Sequence, residues 1–341
     1  MNLSRLGSQS LLALCLVVLA TGGVQAQAAR DQFQPEVGQA GKDVVWVPTP
    51  EALVEKMLDM ARVTPQDYVI DLGSGDGRNV IAAAKRGARA LGVEYNPNMV
   101  ELSRRNAATA GVGDKATFVE GDMFASDFSQ ATVLALFLLP DNMLKLRLKF
   151  LDLKPGTRIV ANTFGIDTWD PDETGSVTDC VSWCSALLWI VPAKVEGTWR
   201  LPEGELALKQ EFQMISGTLK SGAMTTSITS GRMRGDQISF RAGGAEYVGR
   251  VSGDTIEGAV KSGGSNGSWK ATRARLAARL DGPRWISNLL STLNLERVSK
   301  LTFGGSCRPT APPVLGPKSA CHGSRACAAG GAAPSCATRV S

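Results

Sequence analysis

The stretch that decides the fold is Tyr68 to Arg78, YVIDLGSGDGR. Four apolar or aromatic residues and an aspartate run into glycines at every second position, Gly73, Gly75 and Gly77. The short apolar run reads as a strand, and the pattern from Asn79 to Arg86 reads as a helix closed by Gly87. Strand, glycine-rich turn and helix together aim backbone N–H groups and a helix N-terminus at a ligand. Glycine suits positions where φ turns positive or a ligand touches the backbone. Spacing then separates the ligands. A dinucleotide loop reads G-x-G-x-x-G, and here Arg78 stands where its last glycine would fall. No G-K-[ST] follows, which removes the P-loop reading.

Outward from this loop, strands and helices alternate. Thr49-Pro50-Glu51 reads as a helix start with Thr49 as N-cap, and Leu53, Met57, Leu58 and Ala61 share one face before Thr64-Pro65. Further strands are expected at 90–93, 117–120, 131–139 and 158–162, and further helices at 97–110 and 142–151. That alternation predicts a doubly wound α/β sheet with its ligand beyond the carboxyl ends of the strands. ALLWIVPA (186–193) and GTWRL (197–201) follow without a helix between them and are expected to close the sheet as an antiparallel hairpin.

Beyond Pro202 the texture is strand and turn only. Gly231 to Ile238 and Gly249 to Ile256 share the pattern G-R-apolar-x-G-D-x-I, and Gly-Asp at each centre suits a tight hairpin. The expected organisation is a signal peptide over 1–28, a linker over 29–45, a Rossmann-like domain over 46–201, a small antiparallel β-meander over 202–275, and a tail over 276–341. The tail's Pro/Gly/Ala/Ser bias cannot build a core, apart from one amphipathic stretch at Trp285 to Leu295.

The 341 residues carry a formal charge of +5, but its location matters more than its size. Residues 271–341 hold 10 Lys/Arg against 2 Asp/Glu, leaving 27 against 30 in the rest. A basic nucleic-acid groove in the folded part is therefore not supported, and no nucleic-acid partner is expected. Arg5, the ten-residue apolar run LLALCLVVLA (11–20) and small residues around Ala26 and Ala28 predict export to the periplasm or cell envelope. Ten apolar residues are too few to span a bilayer, and no second apolar run of spanning length follows. Export permits disulfides; Cys180 and Cys184 lie four apart, and sequence leaves their pairing open. The single histidine, His322, lies in the tail, so no zinc site is expected.

The pattern D-x-G-x-G-x-G, here Asp71, Gly73, Gly75 and Gly77, resembles motif I of class I S-adenosylmethionine-dependent methyltransferases. Over about 44–200 the segments VPTPEALVEKML, DLGSGDGR, ATVLALFLLP and LKPGTRIVANTF look like the family containing the ATP synthase c-subunit lysine methyltransferase and its bacterial relatives. The resemblance implies S-adenosyl-L-methionine as cofactor and a protein lysine as acceptor. Residue by residue, it implies Glu94 on the ribose hydroxyls with Tyr95 next to it. It likewise implies Asp122 at the adenine amino group with Met123 beside it. Ser74 and Leu138 complete the implied wall, with Val47 and Thr49 folding over from the preceding segment. Asp141 or Asn142 would orient the acceptor amine, and Phe164 or Trp169 would line its channel. An exported non-catalytic protein that binds a partner through its β domain is the competing expectation, while a nicotinamide oxidoreductase is disfavoured by the loop spacing.

Overall fold

The computed structural model describes residues 33–178 and 180–274. The expected signal peptide, the tail from 276 and every cysteine other than Cys180 and Cys184 lie outside the described residues.

The first sheet follows from period-two burial. β1 (Tyr68–Leu72) sends Val69 to one face and Ile70 and Leu72 to the other, and β4 (Val133–Leu136) divides its four buried residues the same way. Both faces must then be covered, which is the condition of a parallel sheet. α1 (Glu51–Met60), α2 (Arg78–Lys85) and α3 (Pro97–Thr109) cover one face through Leu53, Met57, Ala83, Val100 and Ala107. α4 (Pro140–Leu151) covers the other with Met143, Leu146 and Phe150, joined by Trp169 and Trp189.

With β2 (Arg89–Glu94), β3 (Ala116–Glu120), β5 (Arg158–Asn162), β6 (Glu173–Ser176) and β7 (Ser185–Ile190), the order is β3-β2-β1-β4-β5-β7-β6. β1 to β5 are parallel, and β7 runs antiparallel to both β5 and β6. Strand order reverses at β1, next to β4, and the crevice of a doubly wound sheet opens at such a switch point.

The antiparallel hairpin differs from the expected one. The partner of β7 is ETGS at 173–176, while Gly197–Leu201 is β8 of the second sheet. ETGS is a largely exposed edge strand with no apolar alternation, so periodicity could not reveal it. The α1 start differs too: Pro50 is the N-cap without a side-chain bond, and the Thr49 hydroxyl instead accepts from Asn162 Nδ2 at 3.3 Å.

The second sheet contains β8 and β9 (Gly204–Glu211), β10 (Met214–Ser221), β11 (Met224–Ser227), β12 (Thr229–Arg234), β13 (Gln237–Ala242), β14 (Ala245–Ser252), β15 (Thr255–Ser262) and β16 (Ser265–Arg273). Its strands alternate, as β13 shows with Ile238, Phe240 and Ala242 buried between exposed neighbours. β11 and β12 pair with successive parts of β10, making one bent strand. β9 then pairs with β10, and β16 pairs with β8, which closes the expected meander into an eight-stranded barrel. Trp199, Met233, Phe240, Ile256 and Trp269 fill it. Gly235-Asp236 and Gly253-Asp254 form its repeated two-residue turns, with φ of 62° and 56° at the glycines. A type II′ turn requires that conformation at its first central position.

The barrel docks at the amino ends of the parallel strands. Ala193 N–H donates to the Gly235 carbonyl at 2.8 Å, and Gln213 Nε2 donates to the Asp170 carbonyl at 2.8 Å. The Asp172 carboxylate, whose side chain is fully buried, accepts from Ile190 N–H at 2.8 Å and from Arg232 at 2.7 Å. Asp172→Ala is expected to cost about 1–3 kcal/mol, since it orphans a backbone donor. Arg232→Met, which leaves that buried carboxylate without its counter-charge, is expected to cost at least as much. Urea unfolding of the two variants checks this, and a loss under about 1 kcal/mol for Arg232→Met would show that the pair contributes nothing to stability.

Candidate functional site

Beyond the carboxyl ends of β1 and β2 the glycine loop turns under the second strand. Gly73 N–H and Ser74 N–H both donate to the Val93 carbonyl, at 2.8 and 3.1 Å. Gly73, Gly75 and Gly77 all have positive φ, 74°, 55° and 85°. Such conformations strain any residue with a Cβ. A Cβ at Gly75 would lie 2.7 Å from Trp46 Nε1, and one at Gly77 would lie 2.8 Å from the Phe118 ring.

Glu94 ends β2 and is held from two sides. Its Oε2 accepts from Gly75 N–H and its Oε1 from Asn96 N–H, both at 2.9 Å. Each carboxylate oxygen keeps a second acceptor direction. Ser103 Oγ donates to the Gly75 carbonyl at 2.7 Å and Asn106 Nδ2 to the Asp76 carbonyl at 2.9 Å, so α3 clamps the loop.

Residues 39–49 form a strap across this crevice, closed on itself by Trp46 N–H donating to the Gln39 carbonyl at 2.9 Å. Much of the stretch expected to be linker is therefore a wall of the site. Lys42 Nζ bonds Asp122 Oδ2 at 2.6 Å and lies 4.8 Å from the centre of the Tyr95 ring. Asp122 Oδ1 accepts from Phe124 N–H at 2.7 Å. The Lys42 ammonium, with the Phe124 N–H, holds the Asp122 carboxyl below the usual range, and Asp122 in turn raises Lys42. Arg78 anchors the strap's far end, reaching the Thr49 carbonyl at 2.6 Å while its guanidinium grips Asp76 at 2.5 and 3.0 Å.

The cavity is bordered by Thr49, Asp71, Gly73, Ser74, Gly75, Glu94, Tyr95, Asp122 and Met123 of the expected residues. Val47 borders it too. Gly77 and Leu138 do not. Gly77 opens α2 where Phe118 leaves no room for a side chain, and Leu138 is core beneath Gly73. Asp71 is 3% exposed, and its carboxyl accepts from Asn79 Nδ2 at 3.1 Å. Burial pushes it well above the usual carboxylate range; the Asn79 amide opposes that, and the charges of Glu94 and Asp76 reinforce it.

Neither residue expected to handle the acceptor amine borders the cavity. Asp141 is exposed, and Asn142 is buried with its Nδ2 donating to the Asp43 carbonyl at 3.2 Å, which fastens the strap. Trp169 is core, 1% exposed and stacked 5.7 Å from Phe212. Sequence reasoning missed Lys42, Asn79, Asn96 and Phe137, all of which border the cavity. None belongs to a spaced pattern, so only the fold brings them together.

Two buried polar atoms here lack a partner, Ser74 Oγ and Asn79 Oδ1, and both residues border the cavity. Buried polar atoms are rarely left unpaired without a ligand or water. A nucleoside with ribose hydroxyls and an exocyclic amine fits this donor and acceptor set: acids at two strand ends, glycine-loop backbone between them, and unpaired acceptors within.

Comparison with known proteins points to methyltransferases. A family model described as the ANTKMT methyltransferase domain matches residues 71–173, which leaves the barrel outside it. A protein-lysine N-methyltransferase of Saccharolobus islandicus is 44% identical over 140 residues, 40% of this chain and 86% of that protein. The human lysine N-methyltransferase of the ATP synthase c-subunit is 38% identical over 138 residues, 40% of this chain and 59% of its own length. A solved RNA methyltransferase of Salinibacter ruber in complex with S-adenosyl-L-homocysteine is 42% identical, with a TM-score of 0.41, covering 44% of this chain and 96% of that one.

Gly75→Ala is expected to weaken S-adenosylmethionine binding at least about tenfold, or ~1.4 kcal/mol. The added methyl meets the Trp46 indole and strains a backbone at φ 55°. Isothermal calorimetry on protein of unchanged circular dichroism measures it, and an unchanged Kd would mean the loop does not touch the cofactor.

Proposed function

The chain belongs to the S-adenosylmethionine-dependent methyltransferases that share the ANTKMT-type domain, and from that premise we propose that it N-methylates lysine side chains of a protein acceptor. The cofactor site rests on one observation: Glu94, the glycine loop and the unpaired Ser74 Oγ and Asn79 Oδ1 converge on one cavity. Lysine as the acceptor is supported by the similarity to protein-lysine methyltransferases.

Bound S-adenosylmethionine supplies a methyl group on a sulfonium with a neutral leaving group, so positioning counts for more than acid catalysis. The residues divide that task. Glu94, its oxygens already oriented by Gly75 and Asn96, would hold the ribose hydroxyls on its remaining acceptor directions. Asp122 would hold the adenine amino group on an acceptor direction left free beside Lys42 and Phe124 N–H. Trp46 and Val47 in the strap border the cavity and would shield a bound cofactor from water. A lysine nucleophile must be neutral, and a water-poor site lowers its pKa.

Labelled S-adenosylmethionine with a cell-envelope extract tests the reading. Label is expected in protein, resistant to ribonuclease and recovered as methyl-lysine after acid hydrolysis, and lost with Gly75→Ala. Ribonuclease-sensitive label would overturn lysine as the acceptor.

Export to the envelope remains part of the proposal. The apolar run at 11–20 supports it, and so does the Cys180–Cys184 disulfide, a bond that persists in oxidising compartments. Fractionation with thiol trapping is expected to find the chain outside the inner membrane with Cys180 and Cys184 oxidised. Cytoplasmic chain with both thiols free would overturn this part.

A further inference from the structure

The barrel lies outside the stretch that the family model matches, and its two ends differ. The end that meets the first sheet carries the β9–β10 and β12–β13 turns, with Phe212 and Gly235. The opposite end carries the β8–β9 turn, Pro202-Glu203, and there a second cavity of about 720 Å³ opens. Small-molecule sites typically enclose roughly 300–1,000 Å³.

The sequence makes this hollow in two ways. The first is missing side-chain volume. Toward the mouth the inward row of β9 runs Leu208, Leu206, Gly204, and that of β15 runs Ile256, Gly258, Val260, so each row trades a buried aliphatic residue for a glycine. Leu201, Tyr247 and Val260 consequently point inward yet stay only partly buried. The second is incomplete closure. β16 pairs with β8 only at Thr272↔Arg200 and Arg273↔Trp199. β8 ends at Leu201, and Pro202 has no N–H with which to continue the ladder. Pro202 and Lys270, on the two sides of this seam, both border the hollow.

The aromatic wall is set by the barrel itself. Trp269 Nε1 donates to the Val248 carbonyl at 3.0 Å, and the indole lies across Gly249, where a Cβ would come within 2.8 Å of it. Tyr247 stacks on Phe240 with ring centres 4.7 Å apart and meets Trp269 edge-on at 5.7 Å. Tyr247 and Trp269 border the hollow, and Phe240 backs them both.

Polarity then selects the occupant. The inward residues on the border, Leu201, Leu219, Tyr247, Val260 and Trp269, carry no charge. Lys220, Glu257 and Lys270 also border it, but they are exposed and stand at the alternate, outward positions of their strands, with Lys270 bonded to Glu257 at 2.6 Å. Glu203 is exposed in the turn. A molecule seated among the inward residues therefore meets no counter-charge, and burying an unpaired charge there is costly.

We propose that the barrel mouth is a binding site for one uncharged, largely apolar small molecule, which enters at the seam between β8 and β16 and seats against Tyr247 and Trp269. An eight-stranded barrel is wide enough either to be filled by its side chains or to hold one such ligand. Here the end at the first sheet is filled and the far end is not.

The probes are the uncharged dye N-phenylnaphthylamine and its sulfonated counterpart, anilinonaphthalenesulfonate, titrated by fluorescence into full-length protein. One equivalent of the uncharged dye is expected to saturate the wild type, and the sulfonate to bind at least about tenfold more weakly. Val260→Trp fills the hollow, and Val260→Asp sets a carboxylate at an inward position. Each is expected to weaken the uncharged dye at least about tenfold. Affinity for S-adenosyl-L-homocysteine is expected to stay the same, which separates this outcome from the methyltransferase reading. Circular dichroism checks the fold, and Leu219→Trp on β10 serves in place of a Val260 variant that misfolds. No saturable binding to the wild type, equal or tighter binding of the sulfonate, or an affinity that survives these substitutions overturns the site. Dye binding that weakens as sedimentation shows a dimer forming would assign the mouth to a second copy of this chain, and overturns it as well.

Discussion

The hydrogen bond from Gly75 N–H to the Glu94 carboxylate joins the first strand's loop to the end of the second, and the rest of the site is built around it. A Cβ at Gly75 would run into the Trp46 indole, and one at Gly77 into the Phe118 ring and Ser103. In return Phe118 and Ser103 move into the vacated space, and Ser103 fastens the Gly75 carbonyl from the other side. One peptide thus meets a carboxylate on one side and a hydroxyl on the other. Preorganised backbone of this kind needs no rearrangement when a polar ligand arrives.

The strap depends on that geometry. Trp46 lies over the glycine because there is no side chain to displace it, while Arg78, just beyond Gly77, holds Asp76 and the Thr49 carbonyl together. Asn142 fixes the strap's middle at the Asp43 carbonyl from within the buried start of α4. Its other end rests on the exposed Lys42–Asp122 pair. The strap is therefore tied to the glycine loop through Arg78, to α4 through Asn142 and to the loop after β3 through Lys42, and closed on itself between Gln39 and Trp46.

Much of this was legible in the sequence because the information is local. Strand ends are short apolar runs, and an acid directly after one, such as Glu94, has a place in the fold as soon as the strand does. What was not legible depends on pairing across distance. ETGS at 173–176 has no periodicity, and GTWRL at 197–201 alternates equally well for either sheet; only the register with β9 and β16 assigns it. Barrel closure leaves the inside–outside alternation of each strand unchanged, so a meander and a barrel read alike. Asn142 stood one residue after Asp141 in a loop that resemblance placed at the acceptor, yet the helix beginning at Pro140 turns it toward the strap.

The barrel's position constrains its own role. Gly235 meets Gly156 ahead of β5, and Asp172, Glu173 and Asp170 take bonds from Arg232, Arg234 and Gln213. All of these lie at the amino ends of the parallel strands, whereas the cavity lies beyond their carboxyl ends. The barrel is then not a lid over the cavity, whose border comes from the strap, the glycine loop, the ends of β2 and β3 and Phe137 after β4. Trp169, between Phe164 and Asp172, packs on Phe212 of the β9–β10 turn. The Trp169 carbonyl also accepts from Trp189 Nε1 at 2.7 Å, within the strand that follows the disulfide loop. The barrel is thus tied to the segment after β5 and, through Trp169, to β7, on the side of the sheet away from the cavity.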